Sequence, residues 1–206
     1  MATKNKRPFV IGISGACGSG KTWFANKLKE GFRESVCVFT LDSYSKDEDF
    51  VNGLEFRYDN PQAVDYDKAY EDLLKLLHGL SIKLPIYDYS CHCIISEKAC
   101  ASPSVIIIEG LYAFYDSRFL KSMDFKIWID ADEHTRMDRR IKRDVKERGD
   151  SYEKSYLRHI NDSEPAFKKY YAIEKTSSDC VYFNISNSVE ETPKLVNLIV
   201  CFYESR

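Results

Sequence analysis

What this chain lacks narrows it first. Its 206 residues hold no long apolar run; the longest clean stretch, Val105-Ile106-Ile107-Ile108, is far too short to cross a bilayer. The opening residues, Met1-Ala2-Thr3-Lys4-Asn5-Lys6-Arg7-Pro8, hold no apolar signal-peptide segment, and Ala2 excludes the myristoylation pattern. Charge of one sign is also missing. With 30 Lys+Arg against 32 Asp+Glu, the net charge of −2 gives no general pull toward nucleic acid. The 7 cysteines are odd in number and follow no disulfide-framework spacing, which points to a reducing cytoplasm. No repeat, low-complexity tract or linker divides the sequence, so one domain over residues 1–206 is expected. The remainder, 44% hydrophobic and 30% charged, describes a soluble globule with a sizeable core.

What is present alternates. Pro8-Phe9-Val10-Ile11-Gly12-Ile13 reads as a strand, and a helix pattern starts at Lys21 with Trp23, Phe24, Leu28 and Phe32. Residues 36–40 form a second strand, and residues 42–60 read as a long polar loop. Asp65 caps a helix with Ala69, Leu73, Leu76 and Leu77 on one face, ending at Gly79. Residues 82–97 read as a hairpin excursion with Pro85 on an edge. Residues 105–108 and 125–129 are strands, and residues 132–150 a charged helical lid. A helical stretch over 151–172 is interrupted at Pro165; a last strand (181–185) and helix (189–202) follow. This order predicts an α/β fold with a doubly wound, mostly parallel five-stranded sheet and helices on both faces.

Gly15-Ala16-Cys17-Gly18-Ser19-Gly20-Lys21-Thr22 fits G-x-x-x-x-G-K-[ST] and lies between a strand and a helix, the setting that motif requires. Its glycines let backbone N–H groups converge on phosphate oxygens at a helix N-terminus. Lys21 can reach the β- and γ-phosphates, and the Thr22 hydroxyl can take a Mg²⁺ position. A regulatory GTPase would need D-x-x-G and N-K-x-D, and neither occurs. A helicase or transport motor would need partner domains beyond this length. A small-molecule kinase remains. Asp42, just past the second strand, is placed to take a proton from an attacking hydroxyl, since that strand end should lie beside the cradle. From spacing alone, Asp42-Ser43 is equally an Asx-turn. Arg136, Arg140 and Arg143 share one helix face, which suits either γ-phosphate neutralisation or a solvated, salt-bridged surface.

Several later motifs accompany the cradle: Asp42-Ser43-Tyr44, Tyr58-Asp59-Asn60-Pro61, Leu84-Pro85-Ile86-Tyr87-Asp88-Tyr89 with His92, and Ile108-Glu109-Gly110-Leu111. The run from Arg139 to Gly149, followed by Pro165-Ala166-Phe167, is the most selective. Together they resemble the uridine/cytidine kinase family nearly end to end. The resemblance implies a P-loop kinase with ATP or GTP as donor, Mg²⁺, and a nucleoside acceptor phosphorylated at its 5′-hydroxyl. It implies Asp42 as base, Glu109 with Thr22 on Mg²⁺, and Asp59 on the ribose. Tyr87 and His92 would line the base pocket, Arg140 would touch the acceptor, and Arg143 and Arg148 the donor phosphates. It also implies a homo-oligomer, tetramer or dimer.

The sequence departs from that pattern around the acceptor. Ser45 stands where the family has a tyrosine, Asp150 where it has a base-reading arginine, and Arg158 where it has a glutamine. Ser186-Asn187-Ser188 replaces a Pro-Arg-Gly. Asp150 is expected to accept from an exocyclic amine or attract a cationic base, altering or relaxing uridine specificity with transfer retained. A kinase for another acceptor, such as nicotinamide riboside or a sugar phosphate, and an inactive nucleotide-binding relative are the alternatives. Cys91-His92-Cys93 with Cys100 lacks structural-zinc spacing, and Cys17 in the cradle is a target for alkylation.

Overall fold

The computed structural model describes residues 7–185 and 191–206. Five parallel strands form the main sheet: β1 (Phe9–Ser14), β2 (Val36–Thr40), β5 (Val105–Glu109), β6 (Phe125–Asp130) and β7 (Cys180–Phe183). Their order is β2-β5-β1-β6-β7. β5 therefore pairs on both sides, placing Glu109 opposite Thr40 on one side and Ile13 on the other. This corrects the expected neighbourhood of Asp42: β5, not β1, lies beside β2. Nothing local marks that insertion, because β5 joins the sheet from far down the chain.

Period-two alternation divides the core. Ile106 and Ile108 pack with Phe39, Leu73, Leu76, Phe114 and Phe119 on one face. Val105 and Ile107 pack with Phe24, Leu28, Ile127, Ile129 and Ile199 on the other. The first face is covered by α3 (Tyr66–Leu77) and α4 (Ser117–Ser122), and the second by α1 (Lys21–Gly31) and α8 (Glu191–Glu204). All five side chains of β5 are buried, as a strand enclosed between helix layers requires.

The hairpin is β3 (Ile82–Asp88) with β4 (Cys93–Cys100), so its second strand runs three residues past the expected end. Residues 42–60 are not a plain loop. They hold a 3₁₀ turn at Leu41–Tyr44, α2 (Glu48–Asn52) and a 3₁₀ turn at Arg57–Asp59. These pieces are too short for a helical periodicity to develop; only α2 has a side-chain cap, where Asp47 accepts from Phe50 N at 2.9 Å. The lid is α5 (Glu133–Arg148), started by Asp132 accepting from Thr135 N and stopped by Gly149 at φ +70°. Then come α6 (Tyr152–Arg158), a π-turn at His159–Ser163 and α7 (Glu164–Thr176). Pro165 sits in the first turn of α7, which tolerates it, so the irregularity lies before the proline. The Ser186-Asn187-Ser188 departure falls outside the described residues.

Candidate active site

At the end of β1 the cradle turns back on itself. Gly18 has φ +80°, and a Cβ there would stand 2.2 Å from the Arg136 carbonyl. Cradle and lid thus touch backbone to backbone. Lys21 Nζ donates to Ala16 O at 3.0 Å, holding the ammonium over the loop, and Asn184 Nδ2 donates to Ser19 O at 2.8 Å. Beneath the loop lies a side chain that the sequence did not single out. Glu174 accepts from Ser14 Oγ at 2.7 Å and from Phe114 N at 3.0 Å. Burial lifts its carboxyl to about 7 despite those donors.

A cleft of about 850 Å³ opens from the cradle. Its wall at the cradle end includes Cys17, Gly18, Gly20, Lys21 and Thr22, with Asp42 and Glu109 also in the lining. Gly15 and Ala16 line a small separate cavity instead, and Ser19 is wholly buried. Thr22 Oγ1 donates to Glu109 Oε2 at 3.3 Å. Burial, then the neighbouring charge of Asp42, pushes the Glu109 carboxyl upward. A buried carboxylate beside a hydroxyl that faces the cleft fits a hard divalent cation, so Thr22 and Glu109 suit Mg²⁺.

Three arginines of the lid converge on Asp144, which is fully buried. Arg143, Arg148 and Arg140 approach it at 3.0, 3.1 and 3.4 Å. Burial would raise its pKa, but Arg143, Arg148 and Arg140 hold it below the usual carboxylate range. All three arginines line the cleft. Arg136 does not: it donates to Ala131 O and Glu164 at 3.0 Å and lies over the Phe167 ring. The shared helix face is therefore neither a solvated surface nor wholly a phosphate clamp. Arg143 Nη2 also reaches Cys17 Sγ at 3.8 Å. Burial opposes ionisation of that thiol, but Arg140 and Arg143 prevail and lower its pKa.

Farther along the cleft, Asp59 is already engaged. Ser163 Oγ donates to it at 2.7 Å, and Arg140 at 3.4 to 3.5 Å. The Tyr112 hydroxyl donates to its carbonyl. Tyr87 and His92 line the cleft as expected, joined by Tyr58, whose ring stacks on His92 at 4.6 Å between centroids. His92 holds φ +50° at the hairpin turn, where Cys91 and Cys93 are joined in a disulfide. That pairing was not anticipated from the cysteine count; it closes only a single turn. Cys100 lies at the far end of β4, opposite Ile82.

Two departures prove to be partners. Arg158 Nη1 donates to Asp150 Oδ2 at 3.1 Å, and Lys154 pairs with the same carboxylate. Asp150 is absent from the cleft wall, whereas Arg158 belongs to it. The expectation that Asp150 would meet the acceptor is thus corrected: its charge is spent on its own helix neighbours. Ser45 lines the cleft and donates to the Asp42 carbonyl at 2.8 Å.

The sequence pattern of the Phosphoribulokinase / Uridine kinase family matches residues 10–189. The chain belongs to this family. It is similar to the uridine kinase of Bacillus licheniformis, 37% identical over 181 residues, covering 85% of this chain and 86% of that one. A solved structure from Bacillus stearothermophilus, described as a possible uridine kinase, shares the fold at TM-score 0.64 and 23% identity, covering 88% and 91% of the two chains. The phosphoribulokinase of Rhodobacter spheroides does so at 0.58 and 13%, covering 86% of this chain and 70% of its own. As a family member the protein is a P-loop kinase, a phosphotransferase with Mg-ATP as donor and an alcohol as acceptor. No helix among the described residues is long and apolar enough to cross a membrane.

Proposed function

We propose that this kinase transfers the γ-phosphoryl group of ATP to the 5′-hydroxyl of a nucleoside, uridine or cytidine. The observation that carries the reading is one continuous cleft with a phosphate cradle at one end and the Tyr58, Tyr87 and His92 rings at the other. Asp42 lies in that cleft at the strand ends, and no side-chain hydrogen bond occupies its carboxylate among the described residues.

In the transfer, the acceptor oxygen bonds to the γ-phosphorus as the bond from that phosphorus to the β,γ-bridging oxygen breaks. ADP leaves, and the hydroxyl proton passes to Asp42. Lys21 and Arg143 offset the charge that builds on the phosphoryl oxygens, and the cradle amides from Gly15 to Thr22 hold the donor. Arg148 stacks on Tyr89 at 4.2 Å, which orients it along the phosphate path. Asp59, fixed by Arg140 and Ser163, keeps acceptor capacity for ribose hydroxyls. Mg²⁺, when bound near Thr22 and Glu109, neutralises phosphate charge. A cytoplasmic location, from the cysteine usage, and assembly as a homo-oligomer, from family resemblance, belong to the same reading.

ADP release from ATP, measured across nucleosides, nicotinamide riboside, sugar phosphates and no acceptor, tests this. Selective turnover of uridine or cytidine is expected. Turnover with only another acceptor sinks the substrate assignment, and none above background would mark a nucleotide binder without transfer.

A further inference from the structure

Arg158 is the last residue of α6 and shares the cleft wall with Tyr58, His92 and Asp162. Its bond to Asp150 is the one side-chain hydrogen bond it makes among the described residues. Asp150, whose side chain is 8% exposed, is held in turn by Lys154 at 2.5 Å. One corner of a planar fork is therefore fixed, and the remaining N–H groups are left for a ligand. A guanidinium donates only and cannot accept.

The surroundings say which ligand. Asp150, shared with Lys154, offsets only part of the Arg158 charge, but the Asp162 carboxyl stands in the same wall, so the place is a poorer seat for a phosphate than a bare cation would be. In the Tyr58–His92 stack beside it, burial first and nearby cations including Arg158, against the pull of Glu48, lower the imidazole pKa and so favour the uncharged ring. A neutral planar ring can stack there with its edge toward the fork. An exocyclic amine facing the fork would leave N–H groups unpaired, whereas a carbonyl oxygen would satisfy them.

We propose that Arg158, positioned by Asp150, reads the edge of the acceptor's base and selects rings that present carbonyl oxygens. The inference rests on the nucleoside reading above and deepens it. The sign of the site is opposite to what the aspartate at position 150 suggests: the cleft receives a donor from α6, and the acid stands behind it. Asp150 is a positioning residue that acts through the arginine.

Steady-state kinetics on the full chain test this, with uridine and ATP varied separately. Arg158→Gln should raise the KM for uridine ~10-fold or more, the loss of a charged hydrogen bond, with the KM for ATP unmoved. Arg158→Lys, which keeps the charge but loses the fork, should fall between. Asp150→Asn should raise the uridine KM in the wild-type background and do nothing further in the Arg158→Gln background. Asp150→Arg combined with Arg158→Gln, which returns a guanidinium to the family's position, should recover part of the loss. An unchanged uridine KM in Arg158→Gln, or equal rises for uridine and ATP, overturns the inference. A wild type that phosphorylates no nucleoside fails differently: it removes the nucleoside reading and this inference with it.

Discussion

At the phosphate end of the cleft, consecutive residues from Gly15 to Thr22 act chiefly through backbone, on a loop wedged against the Arg136 carbonyl. At the proposed acceptor end, Tyr58, the hairpin residues Tyr87 and His92, and Arg158 arrive from three separate segments and offer side chains. The first arrangement resists change, because a single Cβ collides with fixed backbone. On the proposed reading, the second can be revised by paired substitution at Asp150 and Arg158 without touching the transferring groups, which would separate transfer from selectivity within one cleft.

Asp42→Asn should show the largest effect. It should lower kcat by on the order of a hundredfold or more, with ATP affinity preserved; full activity would remove Asp42 as base and blur the division between the ends. Next is Glu174, which lies under the cradle. In the folded chain it keeps its proton to about pH 7, whereas in the unfolded chain it ionises near the ordinary glutamate value of 4.5. The folded state therefore binds more protons in that window, and stability falls as pH rises through it. Glu174→Gln should remove up to about 3 kcal/mol of that fall, at about 1.36 kcal/mol per unit. Denaturant midpoints at pH 5 and pH 8, compared with wild type, check it.

Gly18→Ala should cost roughly 1–3 kcal/mol in nucleotide binding through backbone strain, read as a rise in the Kd for ATP with the nucleoside Kd intact. The mildest is Tyr58→Ala. Losing the stack on His92 removes about 0.5–1.5 kcal/mol from nucleoside binding and nothing from ATP binding. Should both ligands weaken together, the two ends are coupled more tightly than their construction suggests.

The phosphate end was legible because its residues are contiguous and its rule is conformational. Gly15 to Thr22 and the five strands could be read from spacing, whereas spacing left the lid arginines open between a phosphate clamp and a solvated face. The acceptor end was legible only by resemblance, and there the sign went wrong. Asp150 looks like a ligand group in sequence because its counter-ion, Arg158, lies eight residues on, across a helix start. Glu174 gave no signal, since a glutamate on a long helix usually faces water. It is the 1% exposure, with donors from β1 and Phe114, that reveals it. The order of the sheet was likewise hidden, because strand adjacency is a long-range property that no local pattern encodes.

That order has a consequence for synthesis. β1 and β2 emerge early from the ribosome, yet their ladder partner β5 begins only at Val105, and the second partner of β1 at Phe125. Until then the cradle strand is an apolar segment with unpaired edges on a nascent chain. The glycine loop can take its shape only after β5 and β6 have been translated, so the nucleotide site is finished well after its own residues are made.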